Sequence, residues 1–204
     1  MIRDGNPRNL GYGYAREIGQ FLNQRFEDVL RELAGNTSLS GIAADDRFQQ
    51  RAWEESLIWL AAALETCVEK FPNAERWGLC LEFKIPRRGY RIDAVILAAG
   101  LVIPIEFKTV RSDASVTLKA EDYGHELADF HEGSQKGFVA PILCSSGAQY
   151  HPPSVEEDTD RSVVTVTTTD PGRLADAILA LHNRYSGDEN IELSEWLRSS
   201  YRPT

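Results

Sequence analysis

Residues 91–108, RIDAVILAAGLVIPIEFK, place an aspartate on one apolar run and a Glu-x-Lys on the next. The runs 92–97 and 101–110 are rich in β-branched residues, and Ala98, Ala99 and Gly100 lie between them, so the segment reads as an antiparallel hairpin. With Ala99 and Gly100 as a two-residue loop, Ala98 faces Leu101. Counting back along both strands sets Asp93 opposite Glu106, with Cβ atoms roughly 4.5–5.5 Å apart. Alternation puts Glu106 and Lys108 on one face and Ile105 and Phe107 on the other. Two carboxylates so close repel unless a cation lies between them. Mg²⁺ takes hard oxygen ligands, commonly one or two carboxylates completed by water and substrate phosphate. Asp93 and Glu106 are therefore the candidate metal ligands. Lys108 is the candidate group to hold an attacking water or the charge that develops on phosphate oxygens. Together they suit phosphodiester hydrolysis. The bland alternative is a solvated strand face on which Lys108 merely neutralises its neighbours. The apolar flanks Val95, Ile96, Val102 and Ile103 argue instead for a central hairpin, where isolated charges need a reason.

A second Glu-x-Lys, Glu82-Phe83-Lys84, serves as an internal control. No carboxylate precedes it at hairpin distance and Pro86 closes its run, so 79–85 reads as a neighbouring strand that brings Glu82 near the site. Ahead of these strands, Ile18, Phe21, Leu22, Phe26, Val29, Leu30 and Leu33 recur at helical spacing, and Gly35 with Asn36 can end one amphipathic helix. Residues 47–71 form a second, with Trp53, Leu57, Leu60 and Leu64 on one face and Pro72 beyond it. After the hairpin come a helix over 118–131 and a strand over 139–144. That strand should be parallel, since an apolar run after a crossover helix usually pairs that way. A strand over 162–168 follows, then a helix to about Tyr185 opened by the N-cap Asp170 and Pro171, and a last helical patch over 191–197. The pattern is a single α/β domain, a mixed central sheet flanked by helices. It spans 1–204, with an N-terminal helical part (1–45), a core (46–150) and a C-terminal strand and helices (151–204).

The motif resembles that of the PD-(D/E)xK, or restriction-endonuclease-like, nucleases, in which Asp93, Glu106 and Lys108 match in order and spacing. A closer likeness is to the nuclease-like domain that precedes a P-loop helicase-type ATPase in a group of bacterial proteins. It is carried by AWEESL (from Ala52), RRGYRIDAVIL (from Arg87), IEFK, DYGHELADFHEGS (from Asp122), VAPIL (from Val139) and WLRSSYRPT. The resemblance implies a restriction-endonuclease-like core, Mg²⁺-dependent cleavage of DNA or RNA with Mn²⁺ as substitute, and a role in antiviral defence or repair. It also implies a helicase-type ATPase as partner or fused domain. Such nucleases often take an acid from the helix before the hairpin, and Glu54, beside the apolar stripe, is the candidate; a solvated surface Glu is the alternative. A Gln near a Tyr on the following helix is common in them. Here Lys119 stands ahead of Tyr123, able to contact phosphate as a point charge but not to accept a hydrogen bond.

Composition limits the remaining choices. Acidic residues outnumber basic ones 31 to 22, for a net charge of −9. That is a poor footprint for a strong, sequence-independent DNA binder, so nucleic acid would rely on a local patch. Arg87, Arg88 and Arg91 form the best one, a solvated turn being the equal alternative. Lys119 and Tyr123 are the further candidate contacts. Part of the acidity lies in a polar loop over 155–160. Three cysteines and four histidines lack metal-ligand spacing, which argues against a zinc enzyme, and no G-x-S-x-G marks a serine nucleophile. No glycine loop of Walker type occurs, and no leader or membrane-length apolar run, so a cytoplasmic protein is expected. Two classes stand: a Mg²⁺-dependent nuclease, or a catalytically inactive nuclease-like module that binds nucleic acid or regulates.

Overall fold

The computed structural model describes residues 11–38, 46–86, 89–109, 114–153, 162–188 and 190–202. Its strands are β1 (Tyr14–Glu17), β2 (Gly78–Lys84), β3 (Arg91–Ala98), β4 (Leu101–Lys108), β5 (Phe138–Val139), β6 (Ile142–Ser145) and β7 (Thr167–Thr169). Its helices are α1 (Ile18–Leu22), α2 (Phe26–Ser38), α3 (Asp46–Lys70), α4 (Ala114–Phe130), α5 (Leu174–Tyr185) and α6 (Leu193–Trp196). The seven strands make one mixed sheet in the order β1-β2-β3-β4-β6-β7, with β5 also paired to β4. β1 to β4 are antiparallel neighbours, whereas β5 and β6 lie parallel to β4, and β7 parallel to β6. The crossover through α4 brings the chain back to the same end of the sheet, which is why the pairing after it is parallel. Among the described residues, no helix is long and apolar enough to cross a membrane.

The central hairpin has the expected register, with Ala98 opposite Leu101 and Ala94 opposite Ile105. Its two-residue loop puts both central residues in the left-handed region, Ala99 at φ 48° and Gly100 at φ 77°. This is the backbone hand that matches the twist of the flanking strands. Position 137 must be glycine for a different reason: a Cβ there would lie 1.8 Å from the carbonyl oxygen of Gly100.

Several boundaries differ from the sequence expectation. The single N-terminal helix is broken in two at residues 23–25, where the Asn23 side chain donates to Gly19 O at 2.7 Å, and it runs through Gly35 and Asn36 instead of ending there. Asn36 does not stop α2, because its side-chain amide donates outward to Gly13 O at 2.8 Å. β1 was not expected. Its pattern is too short to stand out, yet Tyr14 and Ala15 are buried by pairing with β2. α4 begins at Ala114, ahead of the expected 118. The strand at 139–144 is interrupted at Ala140 and Pro141, since proline has no N–H for the ladder. The strand expected over 162–168 is reduced to Thr167–Thr169, with Val163 making only an isolated bridge to Val139. Pro171 starts a short 3-10 turn, its Asp170 cap accepting from Gly172 N at 2.9 Å, and α5 follows it. The acidic loop over 155–160 and the end of the expected strand at Val110 lie outside the described residues.

The sheet separates two apolar layers. One joins Ile18, Val29, Leu33, Leu57, Leu60 and Ile178 from α1, α2, α3 and α5 to the sheet; the other joins Tyr123, Leu127 and Trp196 from α4 and α6 to its opposite face. Alternation assigns strand residues to these layers in turn, with a fault in two strands. In β2, Leu79 and Leu81 belong to the first layer, but Phe83 and Ile85 beyond Glu82 belong to the second. In β3, Ala94, Ile96 and Ala98 belong to the first layer, but Ile92 belongs to the second. Glu82 has φ 55°, so the backbone itself exchanges faces there. β4 keeps strict alternation to Phe107. The β3–β4 ladder ends at the Ala94–Ile105 pair, while β2 and β3 stay paired as far as Lys84–Arg91.

Replacing Ala99 with Asn should relieve the left-handed strain at the hairpin loop and raise stability by about 0.5–1 kcal/mol. A higher urea midpoint with unchanged slope is the expected reading.

Candidate functional site

Continuing the hairpin register one step past Ala94 and Ile105 sets Asp93 across from Glu106. The ladder ends there, and the Asp93 carboxylate takes over as acceptor for the Phe107 N–H at 2.8 Å. Ile105 and Phe107 enter the first apolar layer, which turns Glu106 and Lys108 toward α4. Glu106 is only 1% exposed. Its Oε1 accepts from two ammonium groups, Lys108 Nζ at 2.8 Å and Lys119 Nζ at 2.7 Å. Its Oε2 is buried without a hydrogen-bond partner among the described residues. Lys119 reaches in from α4, one turn ahead of Tyr123, and stands over that ring at 5.3 Å.

A third acid completes the cluster. The pairs Leu81–Ala94 and Phe83–Ile92 bracket Glu82 and Asp93 on adjoining strands. Glu82, 7% exposed, accepts from the Trp53 indole N–H at 2.8 Å and pairs with Arg91 at 3.0 Å. Tyr123 donates its hydroxyl to the Arg91 carbonyl at 2.8 Å, tying α4 to the same strand. Three carboxylates thus face three cations: Arg91, Lys108 and Lys119.

Glu82, Arg91, Asp93, Lys108, Lys119 and Tyr123 border one cavity of about 460 Å³, while Glu106 is not among the residues that line it. Leu33, Trp53, Leu57 and Phe107 also line it. No family model matches this chain, and no curated protein or solved structure matches it either. What the site can do therefore rests on its own chemistry.

Burial pushes the Asp93 carboxyl up to about 8, with repulsion from Glu106 and Glu82 adding to it and the Phe107 N–H and Lys119 opposing. Burial likewise raises Glu82 above the usual carboxylate range, partly offset by Arg91 and the Trp53 N–H. For Lys108 burial pulls downward, but the hydrogen bond and charge of Glu106, with that of Asp93, outweigh it and hold the ammonium above its ordinary value. The Tyr123 hydroxyl is raised by burial and by the same acids. Crowded carboxyls and the open Glu106 Oε2 are the conditions that a bound cation would relieve. Among the described residues, no group of three or more His, Cys, Asp or Glu side chains is placed to hold a metal. Mg²⁺ is commonly held more sparsely, by one or two carboxylates with water making up the remainder.

The sequence candidates are distributed as follows. Asp93, Glu106, Lys108, Lys119, Tyr123 and Arg91 come together. Arg91 acts there as the partner of Glu82, and Tyr123 is 1% exposed, so it borders the cavity from a packed position. Glu54 is half-buried, 3.5 Å from the Gln50 amide, and is not among the residues that line the cavity. Its neighbour Trp53 is. Arg87 and Arg88 lie outside the described residues. The internal control is divided, for Glu82 lines the cavity and Lys84 does not. Glu82, expected near the site on its neighbouring strand, does border the cavity. His131 packs against Trp196 and Phe83, and His182 against Phe71 and Trp77, so both are packing residues. All three cysteines are buried free thiols.

Because the folded-state proton affinity of Asp93 exceeds its unfolded value of about 3.9, folding binds a proton, and stability falls as pH rises from about 4 to about 8. Asp93→Asn removes that dependence. In chelator, its stability relative to the parent should improve by more than about 1 kcal/mol between pH 5 and pH 9, measured by urea unfolding at both.

Proposed function

We propose that this chain is a metal-dependent nuclease of PD-(D/E)xK type, its α/β sheet serving as a restriction-endonuclease-like core. The substrate polymer is DNA, with RNA as the alternative. The observation that carries the reading is that Asp93 and Lys108 border one cavity while the buried Glu106 binds Lys108 at 2.8 Å. Asp93 and Glu106 would hold Mg²⁺, or Mn²⁺ in its place. A bound divalent ion supplies Lewis-acid polarisation of phosphate oxygens and a water of lowered pKa.

The protein's own groups supply the rest. Lys108 stays an ammonium because Glu106 and Asp93 stabilise its charge, so it is suited to orient a water and to stabilise negative charge growing on phosphate oxygens. The Phe107 N–H fixes the Asp93 carboxyl, which limits the motion of one proposed ligand. Lys119 offers a second ammonium to a phosphate. Tyr123 and Arg91 brace the strand from which Asp93 projects. With a net charge of −9, phosphate attraction is confined to this cluster, so a partner that delivers nucleic acid fits the chemistry. A helicase-type ATPase in a cytoplasmic defence or repair system is the setting that the motif resemblance suggests.

One observation favours a second reading. Lys108 and Lys119 both bind Glu106 Oε1, so the acids are already neutralised by cations, as an inactive binding or regulatory module would need. Incubation of single-stranded and circular substrates with Mg²⁺ or Mn²⁺ separates the two. The expected outcome is cleavage by the parent and a loss of at least about 100-fold in Asp93→Ala and in Lys108→Ala. Equal cleavage by all three would trace the activity to a contaminant. No cleavage, even with an ATPase partner supplied, would favour the inactive module.

A further inference from the structure

The cavity lining is of two kinds. Leu33, Leu57, Leu60 and Phe107, with the half-buried Trp53 packed against the same cluster, make an apolar wall; Glu82, Asp93, Arg91, Lys108 and Lys119 are the charged lining. Trp53 is held in place by its hydrogen bond to Glu82 at 2.8 Å, and Tyr90, 48% exposed, borders the same space. A volume of about 460 Å³ is in the range of sites that enclose a small organic molecule. It is far too small for a duplex. A paired strand keeps its bases stacked inside the helix, so it could bring a phosphate to the ammonium groups but would leave the apolar wall facing water. An unpaired nucleotide satisfies both kinds of lining at once, phosphodiester on the lysines and base on the indole. The charge balance points the same way, because a chain at −9 gains little from the phosphates of a long duplex. Single-strand binders gain affinity from bases laid on aromatic rings.

We infer that this cavity takes one unpaired nucleotide, its base against Trp53 and its phosphodiester at Lys108 and Lys119, so that the ligand class is single-stranded nucleic acid. The cleavage of that ligand rests on the nuclease reading; its binding does not.

Fluorescence anisotropy of a labelled oligonucleotide, alone and annealed to its complement, tests the inference on the full chain in chelator. The single strand is expected to bind at least about tenfold more tightly than the duplex. Trp53→Leu, which keeps the wall apolar but removes the ring system, should lose about tenfold for the single strand and leave duplex binding unchanged. Trp53→Phe should retain most of the affinity. Tyr90→Ala, at an exposed position, gives a second measure that does not disturb packing, and a smaller loss of the same selectivity is expected. Equal or tighter duplex binding, no binding of either form, or parent-like selectivity in both Trp53→Leu and Tyr90→Ala would overturn the inference. Selective binding with no cleavage on adding Mg²⁺ would count against the nuclease reading and leave this one standing. Preferential cleavage of duplex would do the reverse.

Discussion

At the end of the β3–β4 ladder a side chain takes over as acceptor: the Asp93 carboxylate receives the Phe107 N–H at 2.8 Å. A buried backbone donor must be paired, so this bond satisfies a main-chain requirement and fixes an acid in the same act. Had the ladder run on, Asp93 would have remained a side chain on a regular strand. Because it stops, Asp93 is left to border the cavity. The same contact brings Asp93 into the field of Glu106 and Glu82, which raises its proton affinity and gives a cation something to relieve.

The lysines follow from the acids. Glu106 is buried almost completely, and a charge so placed needs partners. Lys108 comes from two residues along its own strand and Lys119 from the helix that crosses above, so one carboxylate oxygen joins sheet to helix. Arg91 and the Trp53 indole do the same for Glu82, linking α3 to β2 and β2 to β3. Each carboxylate thereby has a structural role as well as an electrostatic one.

The hairpin was legible because its signals are local. Two apolar runs, a glycine turn and period-two alternation fix the register from Ala98–Leu101 to Ala94–Ile105, and with it the relation of Asp93 to Glu106. α3 and the parallel return after α4 were legible for similar reasons. What escaped depends on contacts between distant segments. β1 exists because β2 offers it an edge; Glu82 was expected near the site, but its left-handed backbone and its bond to the Trp53 indole have no local signal. Glu54 and Trp53 are adjacent in sequence, and helical periodicity alone could not say which would border a cavity made by another strand. Arg91 stands in the sequence as a candidate nucleic-acid contact; it lines the cavity and also pairs with the buried Glu82, a partner that nothing in the sequence indicates.

The exchange of faces in β2 and β3 has a consequence for how this region can vary. A residue on a regular strand belongs to one layer or the other, and changing it disturbs that layer's packing. At a seam the assignment lapses, and positions 82 and 93 belong to neither cluster. Their side chains answer to polar partners instead, Trp53 and Arg91 for Glu82 and the Phe107 N–H for Asp93. A change of chemistry at the seam therefore has to satisfy those partners, while the apolar packing of either layer is left in place.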